Sequence, residues 1–560
     1  MNSMNAILPL LVAVPMYGAT TCDPEPVPGE DWDSDGVPAE LDCDDHSDRI
    51  GQTDWTVGGP DSDFDDIQSA VDAASPGDEI CVTQGQYAAP LTIDKPLTLW
   101  AGDRGAETII NGSVGERAVT IVDAPGAVLT GFIIRGAALP EGDALARGGA
   151  GVLVLRSDGA WIADNYIHGN IVQTSQPEDA AIGGGLAVLD SNGVQITGNR
   201  IIDNQAYHGG GVAIAGGSQD ALLHNNALHL NRATAHGGAV YLDDVQATHL
   251  AMGEISENTA HRGGGVFAVG GDVLTFSELS IERNTADMAE GGGWGDGGGV
   301  WAAWVGQIDF NRVRFEDNLA GQGGGVMIHD ACDNPRSVVT VREGDFLHNT
   351  GLASGGGMYV ECGALFTIED QSHFEGNEAG GRGGAVFTYG LQEQAFIGGG
   401  FLDNTADQGG ALKVDESGQT FIRGVHFEGN LGHSDGGGAQ IYGGGDLEVS
   451  DCQFLQNAAG NQGGGLALWG VTGASLIQDT EFDLNTSDHM GAGLHLGNSA
   501  SATVARSIFE GNQATGGGAG LTCTHDQGDG WFTIDGSEFA NNSPTDTACF
   551  GCGSNGSYCQ

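Results

Sequence analysis

The first residues whose types and spacing could do chemistry are Asp31, Asp33 and Asp35, followed by Gly36 and, at the twelfth position of the same stretch, Asp42. Oxygen ligands at positions 1, 3, 5 and 12 with glycine at 6 give calcium-loop spacing, since Ca²⁺ takes roughly six to eight oxygens and the glycine permits the sharp turn. Asp42 stands where a bidentate Glu is usual, which lowers the expected affinity; a merely acidic linker is the alternative reading. His208, His236 and His261 lie beside successive glycine-rich turns, but their offsets differ and no Cys or acid accompanies them consistently. Surface histidines are therefore expected in preference to a zinc site. Asp65-Asp66 and Asp243-Asp244 are pairs that could serve acid/base hydrolysis. In a chain with 75 acids such pairs also arise by chance, and no catalytic residue is assigned. Cys332 and Cys362 follow successive glycine knots and are expected on adjacent rungs, within disulfide reach. Cys523, Cys549, Cys552 and Cys559 are expected to pin the last coil, because Cys549-Phe550-Gly551-Cys552 sits in a Gly/Ser-rich tail and not at a helix start.

Composition narrows what such residues can serve. Lys and Arg number 19 against 75 Asp and Glu, a formal charge of -56, so phosphate repulsion argues against a nucleic-acid partner. Glycine, at 98 of 560 residues, is abundant, whereas 15 prolines and 40% hydrophobic residues do not suit collagen or a disordered linker. A glycine-punctuated β architecture remains. Ala6 to Met16 form an apolar run of signal-peptide length, followed by small residues and Cys22. Export is expected, with lipid attachment at Cys22 a weaker option because Thr21 is a poor preceding residue. No later stretch has the roughly 20 continuous apolar residues of a membrane helix.

The elements that must position these residues follow from a repeat. An apolar residue three before an Asn recurs from Ile167/Asn170 to Phe539/Asn542, with most asparagines 26 to 28 residues apart. After almost every Asn comes a glycine knot and an alternating run, as in Gly209-Gly210-Gly211-Val212 and Gly383-Gly384-Ala385-Val386. Turn then strand, once per repeat, predicts an all-β, right-handed parallel β-helix in which like residues stack at about 4.8 Å. Phenylalanines stack inside, and each Asn bonds its own turn and the neighbouring rung. Residues 64–74 have helical spacing before Ser75-Pro76-Gly77, which predicts a short capping helix over the open end of the core. The expected divisions are a signal segment 1–21, an acidic linker 22–62, the β-helix 63–546 and a Cys-rich tail 547–560.

Phe-x-x-Asn with Gly-Gly-Ala-[Ile/Leu/Val], over roughly residues 165 to 545, resembles the polymorphic outer membrane proteins of chlamydiae. That resemblance implies surface display and adhesion. Only 18 residues follow Asn542, so no barrel of its own is expected. Glu79-Ile80-Cys81-Val82 and the run from Leu91 to Leu99 are similar to the opening strands of pectin-lyase-like β-helices, and the Asp31–Asp42 loop resembles thrombospondin type 3 calcium repeats. Pectin-lyase-like enzymes make polysaccharide lysis or hydrolysis the alternative function, yet the Asn-Thr-Asp, Gly-His-Gly and Arg-Ile-Lys signatures of the hydrolases are absent. The expectation is a non-catalytic rod, secreted or on a bacterial outer surface, that binds glycans or cell-surface proteins through its lateral faces. The insertions around Trp294, Trp301 and Trp304 are the first candidates, unless those rings merely pack a loop.

Overall fold

A computed structural model describes residues 53–550 apart from 61, 103–106, 141–147, 174–180, 245, 288–292, 294, 334–336, 370, 499–500 and 525–530. They form a right-handed parallel β-solenoid of about 17 turns with almost no helix. One turn serves as the pattern: Val212–Ala215, Leu222–His224, Ala227–His229 and Arg232–His236 are its four strands. Each pairs in parallel with its counterparts one turn before and after, so four ribbon-like sheets run along the solenoid. The strand after the glycine knot belongs to what is here called the glycine-led sheet; the strand before each Asn belongs to the phenylalanine sheet.

Stacking decides the interior. Ile167, Ile201, Leu228, Ile255 and Ile281 occupy successive turns of the phenylalanine sheet, then nine phenylalanines from Phe315 to Phe539 continue the column. Their ring centroids lie 4.5 to 5.0 Å apart, with planes within 15° of parallel. This is the strand spacing itself, so each ring covers the next without bending the backbone.

The asparagines form the expected ladder, and its bonding is explicit at Asn404. Its Oδ1 accepts the backbone N–H and the Nδ2 of Asn377 at 2.9 Å each, while its own Nδ2 donates to Phe374 O at 2.8 Å and to Asn430 Oδ1 at 3.0 Å. Groups that the corner would orphan are thereby paired inside a buried column. A second ladder, Asn165–Asn199–Asn226, bonds in the same way at the corner before the phenylalanine sheet. It ends where Gly253 takes the next place, since a side chain there would fall 2.4 Å from Asn226 O.

Glycine does less of the turning than the repeat implies. In the knot Gly263-Gly264-Gly265 the first residue has φ +61°, and a Cβ on the second or third would come within 2.6 Å of a carbonyl of the next turn. At the corner before each Asn, however, the left-handed residue is usually not glycine: Asp203, Leu230, Glu257, Arg283 and Asp317 have φ between +52° and +57°. The ladder holds these residues in a conformation they do not favour by themselves.

At the N-terminal end, Trp55–Val57 is already a solenoid strand, in parallel register with Glu79–Val82. It therefore precedes the expected boundary at residue 63, and the last strand, Thr547–Phe550, reaches past 546 by pairing with Leu521–Thr524. The helix spans Ile67–Ala73 and lays Ile67, Ala70 and Val71 on the core. Asp66 is its N-cap, accepting from the Ser69 N–H. Lys95 closes the other end by donating to Val71 O and Ala74 O at 2.9 and 3.1 Å.

Candidate functional site

The glycine-led strands alternate, so each turn sends two residues inward and two outward. In Val266–Val269, Val266 and Ala268 enter the core while Phe267 and Val269 face out; in Leu412–Asp415, Leu412 and Val414 enter and Lys413 and Asp415 face out. A second outward column precedes the knots, where His208, His236, Arg262, Asp296 and Gln322 are linked turn to turn by parallel bridges. The two columns pack against each other and make a lateral face with its own hydrophobic cluster, separate from the core.

From Tyr241 to Phe387 that face is mostly rings, interrupted at Met327. Tyr241, Phe267, Trp301, Tyr359 and Phe387 are all buried. Phe267 lies 4.5 Å from Trp301, and Tyr359 4.6 Å from Phe387, with His236 4.3 Å from Phe267 and His208 4.8 Å from His236. Arg262 stacks over Trp301 and Arg382 over Phe387, each 5.5 Å from the ring centroid. His208 and His236 are thus half-buried members of this stack and not the free surface groups expected. Burial pushes their imidazoles down to about 4 and about 3, with the neighbouring cations adding to the effect at His236. His261 stands at the side of the same face and contacts Asp287 O at 3.2 Å. Among the described residues no three His, Cys, Asp or Glu are arranged to hold a metal.

Charged groups gather on the face further along. His329 Nδ1 is 2.8 Å from Glu361, Arg382 is 3.5 Å from Asp415, and Lys413 Nζ is 2.7 Å from Asp415. Lys413 is only 1% exposed, so burial lowers its pKa while Asp415 partly restores it. Burial also raises Asp296 and Asp435, against the pull of Arg262 and of Asn461 with Lys413 respectively. This is chemistry of hydrogen bonding and charge pairing. A general acid or base must reach the bond it serves, whereas the Lys413–Asp415 pair is closed over by its neighbours.

The residues singled out in the sequence scatter. Asp65-Asp66 belongs to the helix cap. Asp243 faces out beside Tyr241 with its pKa raised by burial, while Asp244 forms the next corner at φ +49°. Trp301 is inside the ring stack and Trp304 is half exposed beside it. Cys332 and Cys362 are paired as a disulfide with Cα atoms 4.6 Å apart. Cys523 is also disulfide-bonded, and Cys549 is its register neighbour. Asp31, Asp33, Asp35, Asp42, Cys22, Trp294, Cys552 and Cys559 lie outside the described residues. The face itself escaped the sequence reading, although one signal marked it: Lys413, one of two lysines in the chain, stands at the position after the knot where other turns carry Tyr, Phe or Trp. A shallow groove of about 850 Å³ at another corner, lined by Asn226, Met252, Gly253, Glu278 and Arg312, marks the end of the second Asn ladder.

The chain belongs to the right-handed beta helix region family, whose model matches residues 121–286 and 401–559. Among solved structures it is similar to PfbA, a surface adhesin of Streptococcus pneumoniae (9% identity, 80% of this chain and 87% of that one, TM-score 0.34). It is also similar to the tailspike gp61 of Pseudomonas phage phi297 (12% identity, 71% and 72%, TM-score 0.34). A third is the A-module of the Azotobacter vinelandii mannuronan C-5 epimerase AlgE6 (13% identity, 86% and 94%, TM-score 0.21).

Proposed function

We propose that this chain works outside the cell as a non-catalytic rod that holds glycans or cell-surface components along the outward face of its glycine-led sheet. The observation that carries the reading is where scarce residues are placed. In a chain with 19 basic and 75 acidic residues, Arg262, Arg382 and Lys413 meet Tyr241, Trp301, Tyr359, Tyr442 and Trp469 on one lateral face. At the edge of the buried stack the half-exposed guanidiniums of Arg262 and Arg382 and the half-exposed ring of Tyr442 offer hydrogen-bond donors and apolar surface, the combination a sugar or a protein epitope uses. The apolar leader-like segment at residues 6–16 supports export, and a calcium loop at Asp31, Asp33, Asp35 and Asp42 would stiffen the segment between them and the rod.

The test is to apply the full chain to glycan arrays and intact bacterial and host cells, and separately to incubate it with acidic and neutral polysaccharides with and without calcium. Saturable binding without product is the expected result. Reproducible cleavage would overturn the non-catalytic part of the reading, and absence of any binding would overturn the rest. Calcium titration of the full chain tests the loop: saturable uptake lost in Asp31→Asn and Asp33→Asn is expected, and none in the parent chain would dismiss it.

A further inference from the structure

Arginine is scarce in this chain, and where it occurs it is mostly clamped to an acid. Nine arginines among the described residues lie within 3.9 Å of a carboxylate. Arg135, Arg200 and Arg232 have no such partner among the described residues, although the chain holds 75 acids. Arg232 belongs to a different sheet. Arg135 and Arg200 share the outward face of the phenylalanine sheet near its N-terminal end.

These two are held in place without being neutralised. Arg135 Nε donates to Asn111 Oδ1 at 3.1 Å, which leaves its terminal amines for other acceptors. Arg200 lies over the ring of Tyr166, 4.8 Å from its centroid, and that ring stacks on His168 at 4.3 Å. Arg135 is in register with His168, and Tyr166 with Arg200, so the two guanidiniums flank one Tyr–His pair from the turn before and the turn after. Burial lowers the pKa of His168, and both arginines lower it further against the pull of Asp203. Like charges on neighbouring strands are destabilising, and a chain so rich in acids could readily have paired them. The group is open to solvent: Arg200 is exposed, and Arg135, Tyr166 and His168 are partly exposed.

We propose that Arg135, His168 and Arg200 form a binding site for a phosphate group carrying two negative charges. The number of donors selects the ligand. One guanidinium fork satisfies a carboxylate, as Arg423 does for Glu448 with bonds of 3.1 and 2.7 Å. Two forks and an imidazole, arriving from two sides, instead suit a tetrahedral group with three free oxygens. The formal charge of -56 does not forbid this, because at physiological salt charges beyond about 8 Å are largely screened. A long polyanion, by contrast, would run onto the acidic remainder of the rod. The site lies on a different sheet from the ring-lined face and stands apart from the glycan reading.

Titration calorimetry of the full chain with inorganic phosphate and with phenyl phosphate tests the site, together with the His168 imidazole resonance, identified by its absence in His168→Gln. Saturation at roughly millimolar phosphate is expected, with His168 the histidine whose resonance moves. Arg135→Gln and Arg200→Gln should each weaken binding about tenfold. Arg200→Lys, which keeps the charge and loses the fork, should weaken it as well. Unchanged melting temperatures in these surface variants separate lost binding from lost fold. Arg342→Gln, which removes a clamped arginine on another sheet, should leave the affinity as it is. Tighter binding of phenyl phosphate would support an esterified ligand, and tighter binding of inorganic phosphate the free ion. Acetate bound as strongly as phosphate would overturn the phosphate assignment. No saturation, or an equal loss in Arg342→Gln, would overturn the site, whatever the glycan experiments give.

Discussion

At Asn404 one side chain completes the bonding of two neighbouring turns. Replacing it with alanine takes the acceptor from both the backbone N–H and the side-chain amide of buried Asn377, which should cost on the order of 3 kcal/mol, measured as a fall in unfolding midpoint in denaturant. Little change would mean that water replaces the amide. His495 makes a different test. Its burial, with the charge of His489 added, pushes the imidazole down to about 4, so the fold favours the neutral ring. Its contribution is fully present above the unfolded value of about 6.5 and is lost as pH falls toward 4, at up to about 1.4 kcal/mol per pH unit. His495→Gln should therefore show a flatter stability profile than the parent between those pH values; parallel profiles would show that the imidazole protonates in place. The ladder residues were legible in the sequence because a chemical need repeated every turn leaves a repeated letter. His495 was not, because nothing in its own repeat distinguishes an outward histidine from an exposed one.

The corner shows how far an element can be read from its letters. Glycine knots announced themselves, since close approach of the next turn's carbonyls admits no side chain there. The corner before each Asn did not, because Asp, Glu, Arg and Leu all occupy its left-handed position and no single letter recurs. Leu230, with φ +54° and 53% of its surface exposed, gains nothing visible from being leucine. Leu230→Gly should stabilise the protein by about 1 kcal/mol, the relief of left-handed strain less the added freedom of the unfolded chain; a thermal melt checks it, and destabilisation would show that the side chain packs usefully. The glycine-led strand was legible in its inward half, where alternation demands Val or Leu. Its outward half varies from Phe to Lys to Ala, and only stacking in register turns that variation into a face.

Over the whole molecule, stacking in register has an electrostatic cost where it brings acids of neighbouring turns together, as at Glu282 and Glu316 or Asp483 and Glu510. The few arginines answer this locally by clamping acids of the adjoining turn: Arg156 to Asp123, Arg342 to Glu369 and Arg423 to Glu448, each at 2.7 Å. These pairs are exposed and individually worth little, and they leave most of the -56 charge uncompensated. Net self-repulsion, not lost ion pairing, should then dominate the response to salt. Raising sodium chloride from about 10 mM to about 500 mM, where the screening length shrinks from roughly 30 Å to a few ångströms, should raise the Tm. A Tm that falls over that range would mean that the arginine clamps outweigh repulsion along the rod.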